Sequence, residues 1–202
     1  MTFSLASLDP LQGPASRARR LKAATHAAHE ALDRSIMKAA SFGSLLAYGR
    51  FLQVQYLFHR DVDALYRDRA LQSCLPDLAS RWRLSVIAQD LTDLGVKLPD
   101  APAPVFAAGA IDRPTALGWL YVAEGSRLGA ALLRKEAARL GLSDGHGARH
   151  LAPAAQGPAD HWRSFTTALD AIELDAPEEA RVMDGARAAF ARVQDHVDAR
   201  LP

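Results

Sequence analysis

The chain has 202 residues, 49% of them hydrophobic and 23% charged, with a formal net charge of +1. That length suits one domain with a real core, and the near-neutral balance advertises no nucleic acid or other acidic polymer as a partner. Cys74 is the one cysteine, which excludes a disulfide framework and a C-x-x-C metal pair, and no apolar run reaches the ~20 residues of a membrane span.

Residues 1–14 carry Pro10, Gly13 and Pro14 and read as a flexible leader. The first basic residues, Arg17, Arg19 and Arg20, follow the weak apolar stretch of this start, which is the wrong order for a secretory signal, so the expected compartment is the cytoplasm. From about 15 to 38, Leu21, Thr25, Ala28, Leu32 and Ile36 recur at three- and four-residue steps, the spacing of one helix face. A second helical stretch runs over about 44–68, with Phe51, Val54, Phe58, Val62 and Leu65 in step. A third opens at Pro76 and stops at Gly95. Residues 97–112 hold three prolines and a glycine and form a loop, after which Asp112 sits at a helix N-cap with Pro114 in the first turn. That fourth stretch runs to about Gly141. A second glycine- and proline-rich loop covers 142–158, and two more helices follow at about 159–172 and 178–200. Nowhere do β-branched residues alternate over five or more positions between turn signals. The expected fold is therefore an all-α, single-domain bundle of six or seven helices over 15–202.

Two features invite a chemical reading. The first helix carries His26 and His29. At ~100° per residue, His29 lies ~80° from Leu21 and His26 ~140°. His29 borders the buried face and His26 points to water. Asp33 stands at i+4 from His29, where a carboxylate accepts the imidazole's other N–H and fixes its tautomer. Lys22 is two turns earlier on the same side. A solvated helix face explains Lys22 and Asp33 equally well. The second feature is Gly125 and Gly129, four residues apart inside a strongly helical segment. An internal helical glycine costs roughly 1 kcal/mol against alanine. Either small residues let helices approach closely, or a flat ligand lies against the backbone where a Cβ would collide.

The segment Leu21-Lys22-x-Ala24-Thr25-x-x-x-His29 resembles the proximal helix of haem oxygenases. Gly118-Trp119-Leu120-Tyr121-Val122-Ala123-Glu124-Gly125-Ser126-x-Leu128-Gly129-Ala130 resembles the distal helix of their bacterial, biliverdin-producing branch. Gly145-x-Gly147-Ala148-Arg149-His150-Leu151 and His161-Trp162-Arg163-x-Phe165 are similar to the same branch. The resemblance implies a haem-oxygenase-like fold in which haem is both cofactor and substrate. O2 and electrons open the ring to biliverdin, CO and ferrous iron. It makes His29 the proximal iron ligand. It makes Gly125 and Gly129 the distal backbone contacts, the catalytic positions. Ser126 joins them in the haem contact, and Lys22 and Tyr121 become contacts to the propionates. Arg127, Arg134 and Arg163 are further basic candidates. No nucleotide-binding loop or flavin motif is visible, so electrons come from an external donor such as a ferredoxin or a reductase. A bilin-accepting protein such as a phytochrome is a further implied partner.

Three other readings are weighed against this one. A non-catalytic haem carrier or sensor would use the same ligand and propionate contacts. A di-iron carboxylate oxygenase would show Glu-x-x-His, and none of the seven histidines has a glutamate three residues before it. A thiamin-cleaving enzyme would need an activated cysteine, and nothing around Cys74 supplies one.

Overall fold

The computed structural model describes residues 16–39, 41–100, 102–109 and 111–201. The expected leader, 1–14, lies outside them. Among the described residues there are nine α-helices, three short 3₁₀ turns and no strand. The helices are α1 (Arg17–Lys38), α2 (Leu45–Asp61), α3 (Asp63–Arg67), α4 (Arg69–Cys74), α5 (Leu84–Asp93), α6 (Arg113–Gly125), α7 (Ala130–Arg139), α8 (Pro158–Ala171) and α9 (Ala176–Arg200). All six predicted stretches contain helix.

The differences from expectation have local causes. The second stretch breaks at Val62 into α2 and α3. The third does not open at Pro76: Asp77 takes a left-handed conformation, φ 63°, and leads into a 3₁₀ turn at Leu78–Arg81 before α5 begins. The fourth is interrupted by a 3₁₀ turn at Ser126–Gly129. Helix α4 has six residues, too few to show a period, and is started by Asp68, whose carboxylate accepts from the Leu71 amide at 2.8 Å. The N-cap expected at Asp112 is formed, with the Thr115 amide donating at 3.0 Å.

Helices α6 and α9 form the central pair. They approach so closely that a Cβ built on Gly118 would lie 2.2 Å from the Val182 carbonyl oxygen, and one on Gly185 2.4 Å from that of Thr115. Helices α1, α2 and α8 then pack around this pair. Leu21, Val54, Phe58, Leu117, Leu120, Phe165, Val182 and Ala186 bury one continuous core between them. A second cluster, Tyr48, Phe51, Leu52, Leu91 and Leu151, joins α2 and α5 to the 148–151 segment. Asp61 ties α2 to α9, accepting from Arg192 at 2.7 Å and from His196 Nε2 at 2.9 Å. Arg17, almost wholly buried, ties the start of α1 to the carbonyls of Leu169 and Ile172 and to Glu179. No helix among the described residues is long and apolar enough to cross a membrane.

Candidate functional site

On α1 the two histidines differ as the helical wheel predicts, though less by burial than by neighbours. His26 is exposed and faces Glu30 at 3.4 Å. His29 is also largely exposed, at 61%, but its ring lies edge-on to Phe190 of α9 with centroids 5.8 Å apart. Its Nδ1 is 3.2 Å from an Asp33 carboxylate oxygen, and that bond raises its pKa above the ordinary value. An Nδ1–H given to Asp33 leaves the Nε2 lone pair as the outward acceptor, the arrangement of a histidine ready to ligate a metal. Lys22 is exposed, and among the described residues it has no ion-pair partner.

The other feature lies on α6. Ten of its residues are buried, from Pro114 to Glu124, because one flank faces α9 and the other α8. The helix tightens to 3₁₀ at Ser126–Gly129 and resumes as α7. The glycine pair thus brackets a change of helix type. The Ser126 hydroxyl bonds back to the Ala123 carbonyl at 2.7 Å, satisfying an acceptor that the ending α-helix leaves over. Neither glycine serves close helix packing. A Cβ on Gly125 would touch only the Trp162 ring, at 3.5 Å, and one on Gly129 would meet nothing within 4 Å. The packing glycines of this protein are Gly118 and Gly185. Tyr121, one turn before Gly125, lies against Trp162 with ring centroids 5.4 Å apart. Its hydroxyl has no hydrogen-bond partner among the described residues, and burial pushes its pKa up to about 12.

Behind the turn lies a buried polar network that the sequence reading missed. Glu124, 2% exposed, accepts from the Tyr66 hydroxyl at 2.7 Å and from Arg81 at 3.0 Å. Arg81 is 1% exposed and also donates to His161 Nε2 at 2.9 Å and to the His161 carbonyl at 3.1 Å. The signal was a glutamate in the middle of an apolar helix, since a buried carboxylate demands partners. Two of the basic candidates are drawn into surface pairs, Arg134 with Asp144 and Arg163 with Asp160. Arg127 turns inward to His161.

The same region holds His59, 6% exposed and crowded by His150 and Arg83. Burial, reinforced by those charges, lowers its pKa to about 3. A histidine kept neutral in the fold and free to protonate when unfolded makes the unfolded chain the better proton binder below pH 6.5. Stability from this group is therefore complete above pH 6.5 and is lost progressively as pH falls from 6.5 toward 3. Acid melts of the wild type should fall across that window. His59→Asn, which cannot titrate, should show a flatter slope there; an unchanged slope would contradict a buried neutral His59.

The structure gathers the predicted residues into two groups. His29, with Asp33 and Phe190, lies on the α1 side, and Tyr121, Gly125, Ser126 and Gly129 lie at the α6–α7 turn. The first group leans on Phe190 of α9 and the second on Trp162 of α8. A separate cleft of about 530 Å³, lined by Arg60, Arg67, Phe106 and Ile111 among others, holds none of them.

A family model described as heme oxygenase matches residues 15–199. The chain belongs to the haem oxygenase family. It is 43% identical over 179 residues to heme oxygenase PigA of Pseudomonas aeruginosa, covering 89% of this chain and 90% of that one. Among solved structures it is similar to the heme oxygenase of Neisseria meningitidis, determined with NO and CO bound. There the TM-score is 0.86 and the identity 40%, over 93% of each chain. The heme oxygenase of Leptospira interrogans shares the fold at TM-score 0.73 and 21% identity, over 92% of this chain and all of that one. The all-α expectation and the family resemblance therefore both hold.

Proposed function

We propose that this chain is a haem-degrading oxygenase that holds haem between the His29 face of α1 and the Gly125–Gly129 turn. Family membership over nearly the whole chain carries the reading, and local chemistry supports it. When bound, haem supplies the redox and O2 chemistry and is itself the substrate, opened to biliverdin, CO and ferrous iron.

The residues fit the group. His29 offers Nε2 with Nδ1 already committed to Asp33, which fixes the imidazole's orientation and raises its basicity. Gly129 opens on space where a Cβ would have no neighbour, so a planar ring can approach the backbone. Leu128, 47% exposed, and Leu132, 61% exposed, offer apolar edges beside it. Ser126 contributes main chain rather than its hydroxyl. Neither glycine presents an acid or base at the distal face, so protons arrive through water or main-chain groups there. Lys22 and Tyr121 orient the propionates. Electrons come from an external donor, a ferredoxin or reductase in the cytoplasm, and the bilin product passes to an acceptor such as a phytochrome.

The decisive experiment adds hemin to the apoprotein, then reductant and O2. A Soret band that forms one-to-one and then disappears with CO release supports the reading. A Soret band that persists under reductant and O2 would identify a carrier instead. Lys22→Ala should lower hemin affinity about two- to tenfold, the scale of one exposed charge-assisted contact. Ring opening should survive, with a changed ratio of bilin isomers measured by chromatography. A complete block at full haem loading would contradict an orienting role.

A further inference from the structure

We propose that Arg127 is a positioning residue: held by His161 of α8, it sets the height of the backbone between Gly125 and Gly129 that faces the substrate. The inference rests on the haem reading for its functional meaning, but its structural part stands alone.

The turn needs an external hold. A 3₁₀ segment has poorer hydrogen-bond geometry than an α-helix and persists only in short pieces. Glycines end it on both sides, and Gly129 packs against nothing. Of the side chains within Ser126–Gly129, the Ser126 hydroxyl bonds to its own helix and Leu128 is about half exposed. Arg127 alone of these reaches another element, with Nη1 on His161 Nε2.

The anchor on the far side is itself fixed. Arg81 Nη1 also approaches His161 Nε2, at 2.9 Å. A guanidinium only donates, so Nε2 shares its one lone pair between the two arginines, with Glu124 Oε2 3.4 Å from the same nitrogen. The ring proton then belongs on Nδ1, whose neighbour at 3.0 Å is Gln156 Nε2. That side chain accepts the Nδ1–H once its amide oxygen and nitrogen are exchanged, an assignment set by the hydrogen-bond network. Glu124, directly before Gly125, is held by Tyr66 and by Arg81, the same arginine that holds His161, so the two anchors belong to one network. The turn is thus clamped just before its first glycine and again in its middle.

Division of labour follows from burial. Removing Arg81 or Glu124 would leave a buried charge without its partner and endanger the fold. Arg127 is only partly buried, and Glu124 keeps two partners without it. Arg127 can therefore be changed with the fold intact, and what it controls is the turn. A displacement of the main chain by ~1 Å at a reacting centre can cost ~100-fold in rate.

The test compares Arg127→Ala, Arg127→Lys, His161→Gln and His161→Phe. In the apoprotein, amide exchange at residues 126–130 should quicken at least about tenfold in Arg127→Ala and His161→Phe, with exchange in α9 unchanged. Arg127→Lys and His161→Gln, which keep a donor or an acceptor at the contact, should largely restore protection. Imidazole nitrogen shifts should show His161 as the Nδ1–H tautomer in the wild type. With hemin, Arg127→Ala should bind within about threefold of wild type yet open the ring at least about tenfold more slowly. Unchanged local exchange in Arg127→Ala, or an Nε2–H tautomer, overturns the clamp. A wild type that never opens haem overturns the functional reading while leaving exchange and tautomer to judge the clamp. Quickened exchange with unaltered ring opening shows a clamp that positions nothing, and defeats the proposal.

Discussion

His29→Ala should reduce ring opening to under about 1% of the wild-type rate, a barrier increase of at least ~2.7 kcal/mol, while leaving the apoprotein folded. The first half follows from the proposed ligand role. The imidazole is the one group on the α1 face whose second nitrogen is already tied to a carboxylate, Asp33, and whose ring rests on a core aromatic, Phe190. Hemin should still bind the variant, since burial of a large porphyrin does not depend on one bond. Its electron paramagnetic resonance and Soret position should report a changed axial ligand. The second half follows from exposure. A side chain 61% exposed contributes little to stability, and apo melting should shift by less than ~1 kcal/mol equivalent. Asp33→Asn keeps a hydrogen-bonding side chain but loses the charge, and should cost about 10- to 100-fold in activity, the usual effect of a partner to a metal-bound histidine. His26→Ala should do nothing to either measure. If His26→Ala silences the protein and His29→Ala does not, the assignment of the proximal ligand is wrong.

How much of this was legible in the residues differs by feature. Long helices announce themselves through apolar period: α1, α8 and α9 fell where the pattern put them, and α6 began there but ended early, at Gly125. The cap of α6 was legible too, because Asp112 followed by Pro114 is a chemical instruction for a helix start. Short elements were not. Helix α4 owes its existence to one capping carboxylate and to packing, and six residues carry no period. The left-handed Asp77 that delays α5 is a local backbone choice that composition does not declare. For the proposed site, His29 and the glycine pair were singled out by spacing and family resemblance, whereas the change of helix type between the glycines was not. Arg81, Tyr66 and His161 could not be singled out, since they converge on Glu124 from three separate elements far apart in the chain. Glu124 itself was the visible clue. Arg127, Arg134 and Arg163 looked interchangeable as basic contacts in the sequence, and only the fold separates an inward-turned anchor from two surface pairs.

The four glycines of the α6 region should divide sharply under substitution, and this is the test that separates helix packing from substrate access. Gly118→Ala and Gly185→Ala each place a methyl group inside the α6–α9 contact. Its neighbours there are backbone: the Val182 oxygen at 2.2 Å and the Ala186 nitrogen at 2.5 Å for Gly118, and the Thr115 oxygen at 2.4 Å for Gly185. No rotamer change relieves a clash with main chain, so the helices must separate and expose core around Leu117, Leu120 and Ala186. Helix propensity returns at most ~1 kcal/mol for Gly→Ala, and the net loss should be ~3 kcal/mol or more. Against a total stability of ~5–15 kcal/mol, either variant should melt far lower or fail to accumulate. Gly125→Ala and Gly129→Ala behave oppositely. One methyl makes ordinary contact with Trp162 at 3.5 Å and the other meets open space, so apo melting should be unchanged or raised, by up to ~1 kcal/mol equivalent. The functional cost appears with haem. Gly129→Leu should leave the apo fold intact, bind hemin through His29 with its axial ligation unaltered, and slow CO release at least about tenfold, because its side chain would fill the open space that the proposed haem position leaves for O2. Calorimetric melting of all four alanine variants, followed by hemin titration and CO assay of Gly129→Leu, decides the matter. Should Gly129→Leu turn over at the wild-type rate, that face of the turn does not meet the substrate, and the haem plane must be placed elsewhere along α6.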